Sequence, residues 1–301
     1  MKLAVIDIGS NAIRLQIVRS FEENDLVSFK KIEFLRFPLR LGHDVFETGR
    51  ISVPVLDKFA KLMKTFKLLI DLYEVDGYSA VATSAMREAE NGKEVQDFIF
   101  NQVGLKINVI SGDEEAKVLN KAIIPYLQKS KYIHVDVGGG STELNIFDGK
   151  KLIKAKSFKL GSVRKLSEKD RQKALQDIQD WINKHKFDIT ESVIGIGTGG
   201  NINKIFNLKH KPSGNQISLA ELKALKAYLD AFTLENRMSI LKLNPDRADV
   251  IVPAANIYIH VLECIGSDQI MVPKVGLKDG LVYELYERLS NKNLDEIEFL
   301  E

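Results

Sequence analysis

Two stretches of this chain repeat one layout, and the repetition restricts the possible folds more than any other feature. In the first, the apolar run Leu3-Ala4-Val5-Ile6 leads to Asp7, Ile8, Gly9, Ser10 and Asn11, and further apolar residues follow as far as Val18. In the second, Tyr132 to Val135 leads to Asp136, Val137, three glycines (Gly138, Gly139, Gly140), Ser141, Thr142 and Glu143, and then to Leu144 through Phe147. Each copy reads as strand, tight turn, strand. A turn of consecutive glycines exposes backbone N–H groups and lets a ligand approach the main chain closely, which suits phosphate oxygens. Asp136 and Glu143 flank the second turn, and carboxylates beside a phosphate are natural Mg²⁺ holders, with Asp7 a possible third. Capping of the turn by the Asp carboxylates is the plainer alternative. One such hairpin is weak evidence; two point to a duplicated domain with one phosphate loop in each half.

A chain of 301 residues accommodates two domains. At 45% hydrophobic and 28% charged it has an ordinary globular composition. The single cysteine, Cys264, excludes an intrachain disulfide and a cysteine-based zinc site, and its apolar surroundings suggest core packing. No apolar run approaches the roughly 18–20 residues of a membrane span, and no signal peptide precedes the first strand, so a cytoplasmic protein without a membrane partner is expected. A net charge of +2 gives no case for a nucleic-acid partner. The basic stretches Lys150–Lys156 and Lys209-His210-Lys211 read as solvated faces or as a track for a polyanion.

Further elements follow from pattern. Strand is expected from Phe29 to Leu41. A helix begins at Ser52, because Val55, Leu56, Phe59, Leu62, Met63, Phe66, Leu69, Ile70 and Tyr73 recur at helical spacing. The short strand Tyr78–Ala82 runs into Thr83-Ser84-Ala85-Met86-Arg87. That places hydroxyls, N–H groups and Arg87 at a helix start, an anion-friendly position. Ser111 is an N-cap for a helix reaching about Leu127, and acids in its first turn, Glu114 and Glu115, suit the helix dipole. A domain boundary is placed at Ile124-Pro125, giving domains 1–124 and 125–301. A third glycine-rich strand-to-helix turn, Thr198-Gly199-Gly200-Asn201, also has phosphate-binding character. Asn244 to Asp249 opens a long apolar helix ending near Gly266. A last helix follows Gly276-Leu277-Lys278-Asp279-Gly280, and the acidic tail from Asp295 to Glu298 is expected to fray.

Taken together, these motifs resemble the exopolyphosphatase / guanosine pentaphosphate phosphohydrolase family. The resemblance is carried by Asp7-Ile8-Gly9-Ser10-Asn11, Arg40-Leu41-Gly42, Thr83-Ser84-Ala85-Met86-Arg87 and Ser111-Gly112-Asp113-Glu114-Glu115-Ala116. It continues through Asp136-Val137-Gly138-Gly139-Gly140-Ser141-Thr142-Glu143, Gly197-Thr198-Gly199-Gly200 and Gly276-Leu277-Lys278-Asp279-Gly280. It implies an α/β protein of the actin/hexokinase-like fold, two ribonuclease-H-like domains with an interdomain cleft. The length looks like that of the family's short, two-domain members, and a homodimer is the family's habit. The chain departs from the family pattern at Ala12 and Asn201, where hydroxyl residues are usual, and at Lys278 and Pro273, where Arg and a small polar residue are usual.

The reaction implied is hydrolysis of a phosphoanhydride. The substrate would be inorganic polyphosphate, trimmed from its end, or guanosine pentaphosphate. Such chemistry needs donors for the nonbridging oxygens, a cation (Mg²⁺ or another divalent ion) and a base to position water. The backbone of Gly9-Ser10-Asn11 and of Gly138-Gly139-Gly140-Ser141 would supply donors. The Gly199-Gly200 turn, Arg87 and the hydroxyls of Ser10 and Ser141 would add to them. By resemblance the second Glu of Ser-Gly-X-Glu-Glu-Ala, Glu115, is the catalytic carboxylate; Glu114 points elsewhere, since adjacent helical residues do not share a face. His134 shares a strand face with Asp136 and reads as packing or surface. A sugar-kinase-like phosphotransferase and a non-catalytic phosphate or nucleotide sensor are the alternatives of other classes.

Overall fold

The apolar run at the N-terminus is a central strand buried on both faces, as a near-continuous hydrophobic strand requires. In the computed structural model, which describes the chain except residues 24–25, 186–192, 209–213, 293–296 and 301, it is β1 (Lys2–Ile8). β2 (Ile13–Glu23) and β3 (Leu26–Phe37) continue from it as an antiparallel meander. Then come α1 (Leu41–Thr48), α2 (Val53–Leu72), β4 (Gly77–Ala82), α3 (Ser84–Glu88), α4 (Gly92–Val103), β5 (Asn108–Val109), α5 (Gly112–Ile123) and a 3₁₀ turn at Ile124–Tyr126.

The second half repeats the plan. β6 (Lys131–Val137), β7 (Thr142–Asp148) and β8 (Lys151–Phe158) form a second antiparallel meander. α6 (Glu168–Lys184), β9 (Val193–Thr198), α7 (Gly200–Leu208), β10 (Gln216–Ser218), α8 (Leu219–Asp230), α9 (Leu234–Ser239), α10 (Pro245–Ala248), α11 (Ile251–Ile265) and β11 (Gln269–Met271) follow. α12 (Leu277–Ser290) and β12 (Ile297–Leu300) end the chain.

The two sheets run β12-β3-β2-β1-β4-β5 and β10-β11-β9-β6-β7-β8. In each, three antiparallel strands are followed by strands parallel to the first, β4 and β5 beside β1 and β9 and β11 beside β6. This 3-2-1-4-5 order, seen twice, is the ribonuclease-H-like unit, and the duplicated hairpins are its first two strands. The chain has the actin/hexokinase-like α/β fold expected from its motifs.

The division into units corrects one sequence boundary. The first unit comprises Met1–Pro125 together with Gly276–Glu301, and the second Tyr126–Val275. The break expected at 124/125 lies within one residue of the observed one. The last 26 residues, however, return to the first unit instead of completing a domain 125–301. The reason is packing. α12 lies against α5 and β1. A Cβ on Gly280 would stand 2.0 Å from the Val118 carbonyl oxygen, and Asp279 accepts from the Gln16 amide at 3.2 Å. The tail from Asp295 to Glu298 is corrected in part: residues 295 and 296 lie outside the described residues, and Ile297–Leu300 pairs in parallel with β3.

Two cores hold the units. In the first, Ala4, Ile6 and Ile8 of β1 pack with Phe59, Met63 and Phe66 of α2. In the second, Ile133, Val135 and Val137 of β6 pack with Ile202, Ile205 and Phe206 of α7 and with Tyr258, Val261 and Leu262 of α11. Pro245–Ile265 is, by length and composition, long and apolar enough to cross a membrane, contrary to the expectation that no apolar run approaches that length. Here it is α10 and α11, separated at Asp249-Val250, and its apolar residues fill the second core. The strand expected to reach Leu41 ends at Phe37, and Leu41–Thr48 is helical instead. Arg40 enters that helix in the left-handed conformation (φ 60°), without a side-chain cap.

Candidate active site

In the first unit the β1–β2 turn is held by its neighbours in space. The N–H groups of Arg40 and Gly42 donate to the carbonyls of Asn11 and Ser10 at 3.1 and 2.8 Å, pinning the start of α1 on the turn. Ser10 Oγ lies 2.7 Å from Ser84 Oγ, and the Thr83 N–H donates to the Ile8 carbonyl. The Gly9-Ser10-Asn11 turn and the Thr83-Ser84 segment, two motifs singled out in the sequence, therefore meet. Asp7 is paired with Arg14, whose Nη1 stands 2.6 Å from Oδ2. A carboxylate already neutralised by a guanidinium is a poorer metal ligand than the bare acid expected from sequence.

Ser111 and Glu114 close both halves of a capping box at the head of α5. The Ser111 N–H donates to Glu114 Oε2 at 2.7 Å, and this bond holds the Glu114 carboxyl below its usual range. Glu114 is thus consumed by local structure, while Glu115, one residue on, is buried. Arg87 Nη1 stands 3.6 Å from Glu115 Oε2 and donates to the Ile110 carbonyl at 2.7 Å. Arg87 thus places its guanidinium beside the Glu115 carboxyl.

In the second unit the glycine turn is fastened from behind. The Gly138 carbonyl accepts from the Ser162 N–H at 3.0 Å, and the Gly139 carbonyl from the N–H groups of Val163 and Arg164 at 2.8 and 3.0 Å. The Gly140 carbonyl accepts from Arg164 Nε at 2.7 Å. Three successive carbonyls are thereby fixed by the segment 162–164. The N–H groups of Gly139 and Gly140 donate to no acceptor among the described residues. Such a loop can offer donors to an anion without rearranging.

Asp136 and Glu143 stand directly opposite each other in the β6–β7 register. Like charges so placed repel, and hydroxyls offset them here. Thr198 donates to Asp136 Oδ1 at 2.6 Å, and Ser141 and Ser157 donate to Glu143 Oε1 at 2.6 and 2.9 Å. Mg²⁺ sites commonly use one or two carboxylates plus substrate phosphates, and this facing pair fits that donor set. No group of three His, Cys, Asp or Glu able to hold a metal occurs among the described residues, so a cage made by the protein alone does not fit. The Ser141 hydroxyl, expected to bind phosphate, is committed to Glu143.

The third glycine turn lies beside Asp136. Gly199 has φ +101°, and a Cβ there would stand 3.0 Å from Asp136 Oδ1. A Cβ on Gly200 would stand 2.3 Å from Arg247 Nη2. Arg247 donates from Nη1 to Asn201 Oδ1 at 2.9 Å, and the Asn201 amide donates to Ser162 Oγ at 3.2 Å. One asparagine thus spans two partners where the family usually has a hydroxyl residue. Tyr258 donates to the Thr198 carbonyl and accepts from the Val137 N–H at 3.2 Å. Burial, and then Asp136, raise its phenol well above the usual range.

Arg247 and Tyr258 were not anticipated as site residues. The only local signal was that Arg247 opens a helix after Asn-Pro-Asp. Lys278, where the family has Arg, lies 2.6 Å from both oxygens of Asp279. The basic stretch 209–211 lies outside the described residues.

His134 is buried completely, not at the surface, and burial lowers its pKa to about 3. Its Nε2 lies 2.8 Å from Thr198 Oγ1, and its Nδ1 lies 3.0 Å from Asn145 Nδ2.

Residues 17–289 match the Ppx/GppA phosphatase family. A bifunctional 3-dehydroquinate synthase/phosphatase of Fusobacterium nucleatum is 28% identical over 96% of this chain, and the chain spans 47% of that relative's length. A putative exopolyphosphatase of Haemophilus influenzae is 24% identical over 94% of this chain and 91% of its own. Among solved structures, the Ppx/GppA family member of Aquifex aeolicus is 26% identical, covers 97% of this chain and 99% of its own, and superposes with a TM-score of 0.76.

Proposed function

The chain belongs to the Ppx/GppA phosphatase family, and on that premise we propose that it is an exopolyphosphatase, releasing orthophosphate from the end of inorganic polyphosphate. The observation that carries this reading is the separation of roles at the head of α5. Glu114 is spent on the cap, and Glu115 is buried with Arg87 at 3.6 Å.

Glu115 accepts the proton of a water as that water attacks the terminal phosphorus. A P–O bond forms, the anhydride P–O bond breaks, and the shortened chain leaves with the electron pair. Arg87 and the N–H groups of Ser10 and Asn11 are the first unit's donors to phosphate oxygens; the Gly9 N–H, expected to join them, is given to the Ala12 carbonyl at 3.2 Å. The N–H groups of Gly139 and Gly140 and the Gly199-Gly200 turn are those of the second. Asp136 and Glu143 would hold Mg²⁺ or another divalent cation, which when bound would supply charge neutralisation to the anhydride oxygens. Asp7, tied to Arg14, supports the turn rather than the cation.

Guanosine pentaphosphate offers the same terminal anhydride, and the relative rates on the two substrates decide between them. The experiment is phosphate release from polyphosphate, guanosine pentaphosphate and ATP, each with and without Mg²⁺. Fastest release from polyphosphate with Mg²⁺ is expected. Faster release from the pentaphosphate reassigns the substrate, and no release from either overturns the reading.

A further inference from the structure

A buried chain of hydrogen bonds runs beneath Asp136, and its direction can be worked out from its two ends. At one end Asn145 Nδ2, which can only donate, lies 3.0 Å from His134 Nδ1. That nitrogen therefore accepts and carries no proton, so the ring proton is on Nε2. At 2.8 Å, Nε2–H donates to Thr198 Oγ1. The threonine hydroxyl has one proton, and with His134 donating to its oxygen that proton goes to Asp136 Oδ1 at 2.6 Å. His134, Asn145 and Thr198 are each 0% exposed. Register makes the arrangement possible: His134 pairs with Asn145 across β6–β7, and Asp136 pairs with Thr198 across β6–β9.

Asn145 Oδ1 is buried without a hydrogen-bond partner among the described residues, a cost that two apolar side chains would not carry, so the pair calls for a purpose beyond packing. We propose that His134 is a positioning residue, which with Asn145 orients the Thr198 hydroxyl toward Asp136 and so fixes the carboxylate for cation binding. The proposal rests on the reading of Asp136 as a cation ligand. Partners that hold a ligating carboxylate from behind typically affect metal affinity 10–100-fold.

The test uses the whole chain. The first measurement is histidine side-chain ¹⁵N NMR of the wild type, with the His134 signal assigned by its loss in a variant. The Nε2–H form is expected, and an Nδ1–H form overturns the proposal. The second is binding of Mn²⁺ alone, followed by electron paramagnetic resonance, in three variants. His134→Ile with Asn145→Val replaces the polar pair by strand-compatible apolar residues, Thr198→Val removes the donor to Asp136, and Thr198→Ser restores it. Roughly 10- to 100-fold weaker Mn²⁺ binding is expected in the first two, with recovery to within a few-fold in the serine variant. Wild-type affinity in a folded Thr198→Val or double variant overturns the proposal, as does failure of the wild type to bind Mn²⁺ at millimolar concentration. Should the double variant not fold, the tautomer and the Thr198 pair still decide. A wild type that binds Mn²⁺ but releases no phosphate refutes the proposed function and leaves this inference standing.

Discussion

Gly161→Ala tests how rigidly the second glycine turn is held. A Cβ on Gly161 would stand 2.3 Å from the Gly139 carbonyl oxygen, 2.5 Å from the Gly139 carbonyl carbon and 2.6 Å from that of Gly140. All three are backbone atoms, so no side chain can swing aside. Ordinary contact requires a shift of about 1 Å, and overpacking of this kind costs typically about 1–3 kcal/mol. The loop cannot yield alone, because its carbonyls are fastened to the N–H groups of residues 162–164, next to the substituted position itself. Part of the cost should therefore appear as displacement of the Gly139 and Gly140 N–H groups. A misplacement of about 1 Å in a positioning element can cost roughly 100-fold in rate. The expected result is a drop in unfolding free energy of about 1–3 kcal/mol by urea titration, with phosphate release down by roughly 100-fold. Gly200→Ala is the contrasting case. Its Cβ would meet Arg247 Nη2 at 2.3 Å, the far end of a flexible side chain. Stability should change little while Arg247 is displaced and substrate affinity falls. Gly161→Ala with wild-type stability and wild-type phosphate release would refute the claim that the turn is locked from behind.

Glu115→Gln should lower phosphate release by about 10²–10⁴-fold while leaving polyphosphate binding, measured by equilibrium titration, near the wild-type value; near-wild-type turnover would remove Glu115 from the role of base. Arg87→Ala should weaken polyphosphate affinity and also lower turnover, because the same guanidinium faces Glu115. An unchanged apparent affinity would limit it to the carboxylate. The buried His134 sets an acid limit on stability. Its pKa falls from 6.5 to about 3 on folding, so the unfolded chain binds the extra proton between those values. Its contribution is therefore intact above about pH 6.5 and is lost as pH falls toward 3, amounting to about 2 kcal/mol at pH 5. Urea titrations at pH 7 and pH 5 should give a smaller difference in the His134→Ile, Asn145→Val variant than in the wild type, and an equal difference would refute the linkage.

What could be read from the sequence, and what could not, follows the distance over which each feature is determined. The N-cap at Ser111 and the β1–β2 and β6–β7 hairpins are set by residues a few positions apart, so their spacing announces them. α1 has no signature in the sequence because nothing local starts it. Its entry residue has no side-chain cap, and the N–H groups of Arg40 and Gly42 find acceptors only in the turn at Ser10 and Asn11. α12 packs outside the half in which its sequence position places it for the same reason, since Gly280 meets Val118 and Asp279 meets Gln16 across more than 150 positions of chain.

The second unit's site divides in the same way. Its glycines and acids were legible as motifs, whereas Arg247 and Tyr258 reach them from α10 and α11, 46 and 60 positions away from Asn201 and Thr198. His134 is the instructive case. Alternation placed it on the face of Asp136, and a lone histidine on a strand gave no reason to expect more. Only the pairing of β6 with β7 on one side and β9 on the other sets Asn145 and Thr198 within reach of its two nitrogens. A motif names the groups that can meet a substrate, while the groups that aim them come from strand pairing, which leaves no short pattern in the chain.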